Sequence, residues 1–134
     1  MWRRPLGYLP FVLTAAACSA EIVMPPSAVV GIFGGRGAEL IATADSVRVE
    51  FVCSFASFRQ AIVPESDGQF SLAPVLMPTS TGPAAIALKG VFTESRIDFD
   101  AVSLSAAGEV RQSHHVVHRD QLGDYSGMGC LVSQ

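Results

Sequence analysis

Three histidines fall within five residues, His114, His115 and His118, with Asp120 and Asp124 just beyond them. Imidazole and carboxylate are transition-metal ligands, so a metal would be sought here first. The conformation of the segment decides whether the spacing works. In a helix His114 and His118 would stand one turn apart and could share an ion. In a strand they share a face but lie roughly 13 Å apart, at about 3.3 Å per residue. The β-branched Val116 and Val117 between them favour the strand. His114 and His118 therefore remain candidates only, no metal site is assigned, and no cofactor is expected.

The other reactive groups form no recognisable set. Asp98 and Asp100 alternate with Ile97 and Phe99, so both carboxylates should point to one polar face. Paired acids can do acid/base work, but charges on an exposed strand face ordinarily protect it from unwanted pairing. Ser126 sits in YSGMG, which is not a Gly-x-Ser-x-Gly elbow, and no base is identifiable for it. Cys130 could act as a nucleophile beside His118, although Cys53 offers it a simpler use. The glycines at 31, 34, 35 and 37 are followed by no Lys-Ser or Lys-Thr pair, which removes the phosphate-loop reading.

The cysteines say more about location than about chemistry. Arg3 and Arg4 precede an uncharged stretch, Leu6 to Ala17, that ends in three alanines directly before Cys18. This is a signal-peptide layout, and at twelve residues, with Gly7 and Pro10 inside it, the stretch is too short to span a membrane, which takes about 20. Leu13 to Cys18 resembles the bacterial lipobox, although Ala15 stands where that motif usually has leucine. The expectation is a signal peptide over 1–17 and lipid attachment at Cys18; the alternative is ordinary cleavage after Ala17 or Ala20. Ser19 after the cysteine is not the aspartate of an inner-membrane retention signal, so outer-membrane attachment on a bacterial envelope is expected, with a periplasmic or secreted protein as the alternative. With Cys18 lipidated, Cys53 and Cys130 are left as one pair, expected to form a disulfide in an oxidising compartment; two free buried thiols are the other possibility.

Without Arg3 and Arg4, seven basic and twelve acidic side chains remain from Cys18 onward. That balance argues against nucleic acid as a partner. Residues 18–37, with Pro25-Pro26 and four glycines, read as the attachment site and a tether, though Val29, Val30, Ile32 and Phe33 are apolar enough to dock as a first strand. The remainder, 38–134, reads as one β domain. SVRVEFVCSF alternates apolar and polar from Val47 to Phe55, which predicts one half-buried strand with Cys53 on its apolar face. AELIATAD should pair with it through a short joint at Asp45-Ser46. ESDG before QFSLAP predicts a hairpin between the runs on either side. Another hairpin is expected about Thr93 to Ser95. The change of apolar phase between Ile97/Phe99 and Val102/Leu104 predicts a bulge at Asp100-Ala101. Gly108 marks a turn, VRQSHHVVHR is a strand or short helix, and MGCLV is a closing strand carrying Cys130. Seven to eight short strands with turns every eight to twelve residues make an all-β domain, either a small antiparallel up-and-down barrel or a sandwich.

Cys53, Gly68, Phe70, Gly90 and Cys130, spread over about eighty residues, resemble the pattern of a loose family of small bacterial exported proteins. In that family a strand ends in cysteine, an Asp-Gly turn and an aromatic follow, then a Gly-centred hairpin and a terminal cysteine. This chain departs from it at Val52 and Ser54, where an acidic residue and a glycine would be usual. The resemblance implies a fold and no activity. The expectation for function is an envelope-anchored or secreted β domain, held to a membrane by its lipid, that binds a protein or small molecule or serves envelope structure. The alternative is a small metal-dependent or hydrolytic enzyme using the His114/His115/His118 segment.

Overall fold

The computed structural model describes residues 27–130. The stretch 1–17 read as a signal peptide, the expected lipid site Cys18 and the last four residues lie outside them. Eight strands follow one another: β1 Gly31–Gly35, β2 Ala38–Ala42, β3 Val47–Phe51, β4 Phe55–Phe58, β5 Gln69–Thr79, β6 Gly82–Thr93, β7 Arg96–Ser105 and β8 Val110–Arg119. They form one sheet in the order β4-β3-β2-β1-β8-β7-β6-β5, with every neighbouring pair antiparallel. Two four-stranded meanders are thus joined by their first and last strands, and the sheet curls into a nearly closed barrel. Its closing seam lies between β4 and β5, where the Gln60 side chain accepts the Ala73 N–H at 2.8 Å. The inward phase of each strand supplies the core, including Phe33, Leu40, Val49, Phe58, Leu88 and Phe99, and Ile62 from the β4–β5 connection plugs it.

Several turns lie where the local sequence places them. β2 and β3 turn through residues 43–46, with Ala42 opposite Val47 and the Thr43 and Ser46 hydroxyls 2.7 Å apart. β6 and β7 turn through Glu94-Ser95, with Thr93 opposite Arg96. Gly108, at φ +86°, closes the β7–β8 turn, and VRQSHHVVHR is a strand throughout.

Four expectations are corrected. SVRVEFVCSF is not one strand: it breaks after Phe51, whose N–H donates to the Ser54 carbonyl at 2.7 Å, and resumes as β4 in the opposite phase, with Ala56 and Phe58 buried. Cys53 consequently sits exposed in the turn, and Phe55 faces outward with the Arg48 guanidinium 4.3 Å over its ring. The ESDG turn exists, with Gly68 N–H donating to Glu65 C=O, but its flanking strands β4 and β5 lie across the seam and do not pair as a hairpin. β7 has no bulge; its register is unbroken on both sides, and Val102 and Leu104 are simply exposed on the outer face. The irregularity is in β5 between Leu72 and Val75, at Pro74, which has no N–H to give a ladder. Finally, the segment up to Cys130 is not a strand but an irregular strap.

The stretch read as tether also contributes to the domain. β1 lies within it, Val29 is buried, and Phe33 is fully buried. Its glycines are there for close approach: a Cβ on Gly35 would collide with the Val116 carbonyl on β8, and one on Gly34 with the backbone of Gln121 and Leu122. Bare backbone at these positions lets β1, β8 and the strap lie against one another.

Candidate functional site

The two meanders differ in length, and this opens the barrel at one end. β5 to β8 have ten to twelve residues each, β1 to β4 only four or five. β8 pairs with β1 only through Phe33↔Arg119 and Gly34↔His118, so the first half of β8 runs on past its neighbour. Along the inward face the side chains change as the strands emerge. β7 passes from Ile97 and Phe99 to Ala101, Ser103 and Ser105, and β8, read backwards, from Val117 to His115, Ser113 and Arg111. Large apolar residues fill one end; small and hydroxylated ones leave a cavity of about 800 Å³ at the other. Its floor is apolar, with Phe51, Met77, Ile86 and Ala101. Hydroxyls from Ser103, Ser105, Ser113 and Thr79 line its wall, and Glu109 and Arg111 stand at its mouth.

The fourth side is the β3–β4 turn, fixed by the strap. Cys53 and Cys130 form a disulfide, with their Cα atoms 5.4 Å apart, and both border the cavity. Ahead of Cys130 the strap is fastened residue by residue. Asp124 exchanges backbone hydrogen bonds with Gly35 and Gly37 at 2.9 Å, Gly123 N–H donates to the Glu39 carboxylate at 2.8 Å, and Tyr125 O–H donates to the Glu50 carbonyl at 3.1 Å. Partial burial, then the charges of Glu39 and Glu50, push the Tyr125 hydroxyl's pKa up. Asp124, expected beside the histidines, instead pairs with Arg36 at 3.5 Å and accepts from the Ser126 hydroxyl and N–H, which hold its carboxyl below the usual range.

The histidines are divided between the two faces of β8. His114 points outward, its Nδ1 2.8 Å from Asp100. His118 shares that face four residues on, beside β1. Among the described residues no group of three or more His, Cys, Asp or Glu side chains could hold a metal ion. Asp98 and Asp100 do share the outer face, but Asp98 is taken by Arg96 at 2.8 Å. His115 points inward between Phe51 and Phe99, with ring centroids 5.2 and 5.3 Å away, and its Nε2 lies 2.9 Å from the Ser113 Oγ on the cavity wall.

No protein-family model, curated protein or solved structure matches this chain. Of the family pattern noted in the sequence, the Cys53–Cys130 pair is what the structure bears out. The cavity has to be read from its own residues. Sequence reasoning missed it because a bulge at Asp100-Ala101 would turn Val102 and Leu104 to the face of Ile97 and Phe99; the signal was the inward phase Ala101, Ser103, Ser105, three small residues in succession at the end of a strand whose earlier inward positions are Ile97 and Phe99.

His115 gives the site a measurable pH signature. Burial, and then the charge of His114, lower its pKa from the ordinary 6.5, against an opposing pull from Asp100. The unfolded chain therefore takes up this proton before the folded one does. Stability contributed by neutral His115 is present above pH 6.5 and is lost as pH falls through the lower folded value. The urea midpoint should drop between pH 7 and pH 5 in the native protein, and drop less in His115→Phe. An equal drop in both would show that other groups carry the dependence.

Proposed function

We propose that the protein is an exported, envelope-anchored binding domain, tethered through lipid on Cys18, that holds a small molecule in the open end of its barrel. The observation that supports binding is the cavity, whose volume of about 800 Å³ lies within the roughly 300–1,000 Å³ of ligand sites, and whose apolar floor and few polar wall groups match their chemistry. The anchor rests on the Arg3-Arg4, apolar, small-residue, Cys18 sequence; a mature chain beginning at Glu21 without acyl mass would refute it. For the binding role the test is fluorescence of N-phenyl-1-naphthylamine, which brightens in apolar surroundings. The native protein is expected to bind it saturably, and Ser103→Trp, which puts an indole into the cavity, should weaken binding at least tenfold while leaving the β-sheet circular dichroism intact. Binding that Ser103→Trp leaves unchanged would place the dye on the exposed outer row of Leu76, Leu104 and Val110 and sink the cavity reading.

One contact favours a second reading, a hydrolase. Ser113 Oγ and His115 Nε2 stand at the 2.9 Å expected of a nucleophile and its base. The third member of such a set is elsewhere, since the nearby Asp100 is bonded to His114 on the opposite face. Labelling of Ser113 by an alkyl fluorophosphonate, abolished in His115→Ala, would move the assignment to this reading.

A further inference from the structure

Charge is distributed around the cavity in a way that bears on what it holds. Among the described residues that line it, Glu109 and Arg111 are the charged ones. They are opposite in sign, 3.7 Å apart, largely exposed, and both at the mouth. Their charges cancel, so the mouth carries no net charge to attract an ion of either sign. Below them the lining polar side chains are neutral hydroxyls and one amide, the His115 imidazole lies behind Ser113, and the floor is apolar. A ligand with a net charge would have to leave water without meeting an opposite charge, which is strongly unfavourable. A neutral head suits this wall, because hydroxyls both donate and accept and can serve a hydroxyl, carbonyl or amide alike. Ser103 is placed for this, half-buried on the inward face of β7 one step above Ala101.

We propose that the cavity takes an uncharged amphiphile, its apolar body on the floor formed by Phe51, Met77, Ile86 and Ala101 and its neutral hydrogen-bonding head among the hydroxyls of the wall. This rests on the binding reading above and adds the ligand's chemical class. The Glu109–Arg111 pair then acts as a gate of zero net charge, and breaking it should change the selectivity. The Glu109→Gln variant leaves Arg111 without its partner and should admit anions.

The test is competition at pH 8 between bound N-phenyl-1-naphthylamine and three ten-carbon chains differing only in the head: decan-1-ol, decanoate and decyltrimethylammonium. Decan-1-ol is expected to displace the dye at concentrations at least tenfold below either ion. In Glu109→Gln, decanoate should improve about fivefold relative to decan-1-ol. Decanoate or the ammonium competing as well as the alcohol in the native protein would overturn the neutral class while leaving the cavity a binding site, as would a Glu109→Gln variant with unaltered preference. Failure of the dye to bind the native protein would remove the binding reading and this one with it.

Discussion

Reduction of the Cys53–Cys130 bridge should lower the stability of the domain by about 4.5 kcal/mol, the loop-entropy value for a cross-link of this span. The two cysteines are 77 residues apart in sequence, so the bridge denies the unfolded chain most of the conformations in which its early turn and its C-terminal end are distant. At this size that corresponds to a fall in Tm on the order of 20 °C. The barrel should nevertheless stay folded. The strap has its own attachments through Asp124, Gly123 and Tyr125, and neither cysteine belongs to the buried core. Urea unfolding with and without dithiothreitol, alongside Cys53→Ser/Cys130→Ser, checks this. A change below about 1 kcal/mol would mean that the hydrogen bonds alone order the strap, and complete unfolding would mean that the sheet depends on it.

That bridge also marks how far sequence carries. The pairing of Cys53 with Cys130 was legible from cysteine count and expected compartment, but the location of Cys53 was not. Val47, Val49, Phe51, Cys53 and Phe55 keep perfect alternation through a turn, because a three-residue break between strands leaves a polar/apolar string looking continuous. Only the hydrogen bond from Phe51 to Ser54 ends the strand. Hairpins were legible where the turn chemistry is local, at Asp45-Ser46, Glu94-Ser95 and Gly108. The ESDG turn has the same chemistry but sits at the seam, where pairing is decided by how the sheet closes, a property no short window contains. The cavity was hidden for a related reason. Apolar residues were assumed to face inward, and in β7 the hydroxylated phase does so, with Val102 and Leu104 left outside.

Phe33→Ala should destabilise the domain by about 3–5 kcal/mol, the range for emptying a buried phenylalanine site. Against a total of about 5–15 kcal/mol for a domain, that is enough to leave it marginal. Phe33 matters because of where it is buried. Among the described residues β1 and β8 form the one strand ladder that joins the two meanders, and it consists of Phe33↔Arg119 and Gly34↔His118. The ring is fully buried, edge-on to Phe92 at 6.3 Å, and lies under the Arg119 guanidinium, which is 4.7 Å above it and donates to the Val30 carbonyl at 2.9 Å. Alanine would remove the surface on which that arginine rests, loosening the joint as well as the core. Phe55→Ala is the matched control: the same deletion on an outward ring that is 42% exposed and contacts Arg48, with an expected cost under about 1 kcal/mol. If urea midpoints show the two variants to be equally mild, the Phe33 ring is not what holds β1 against β8.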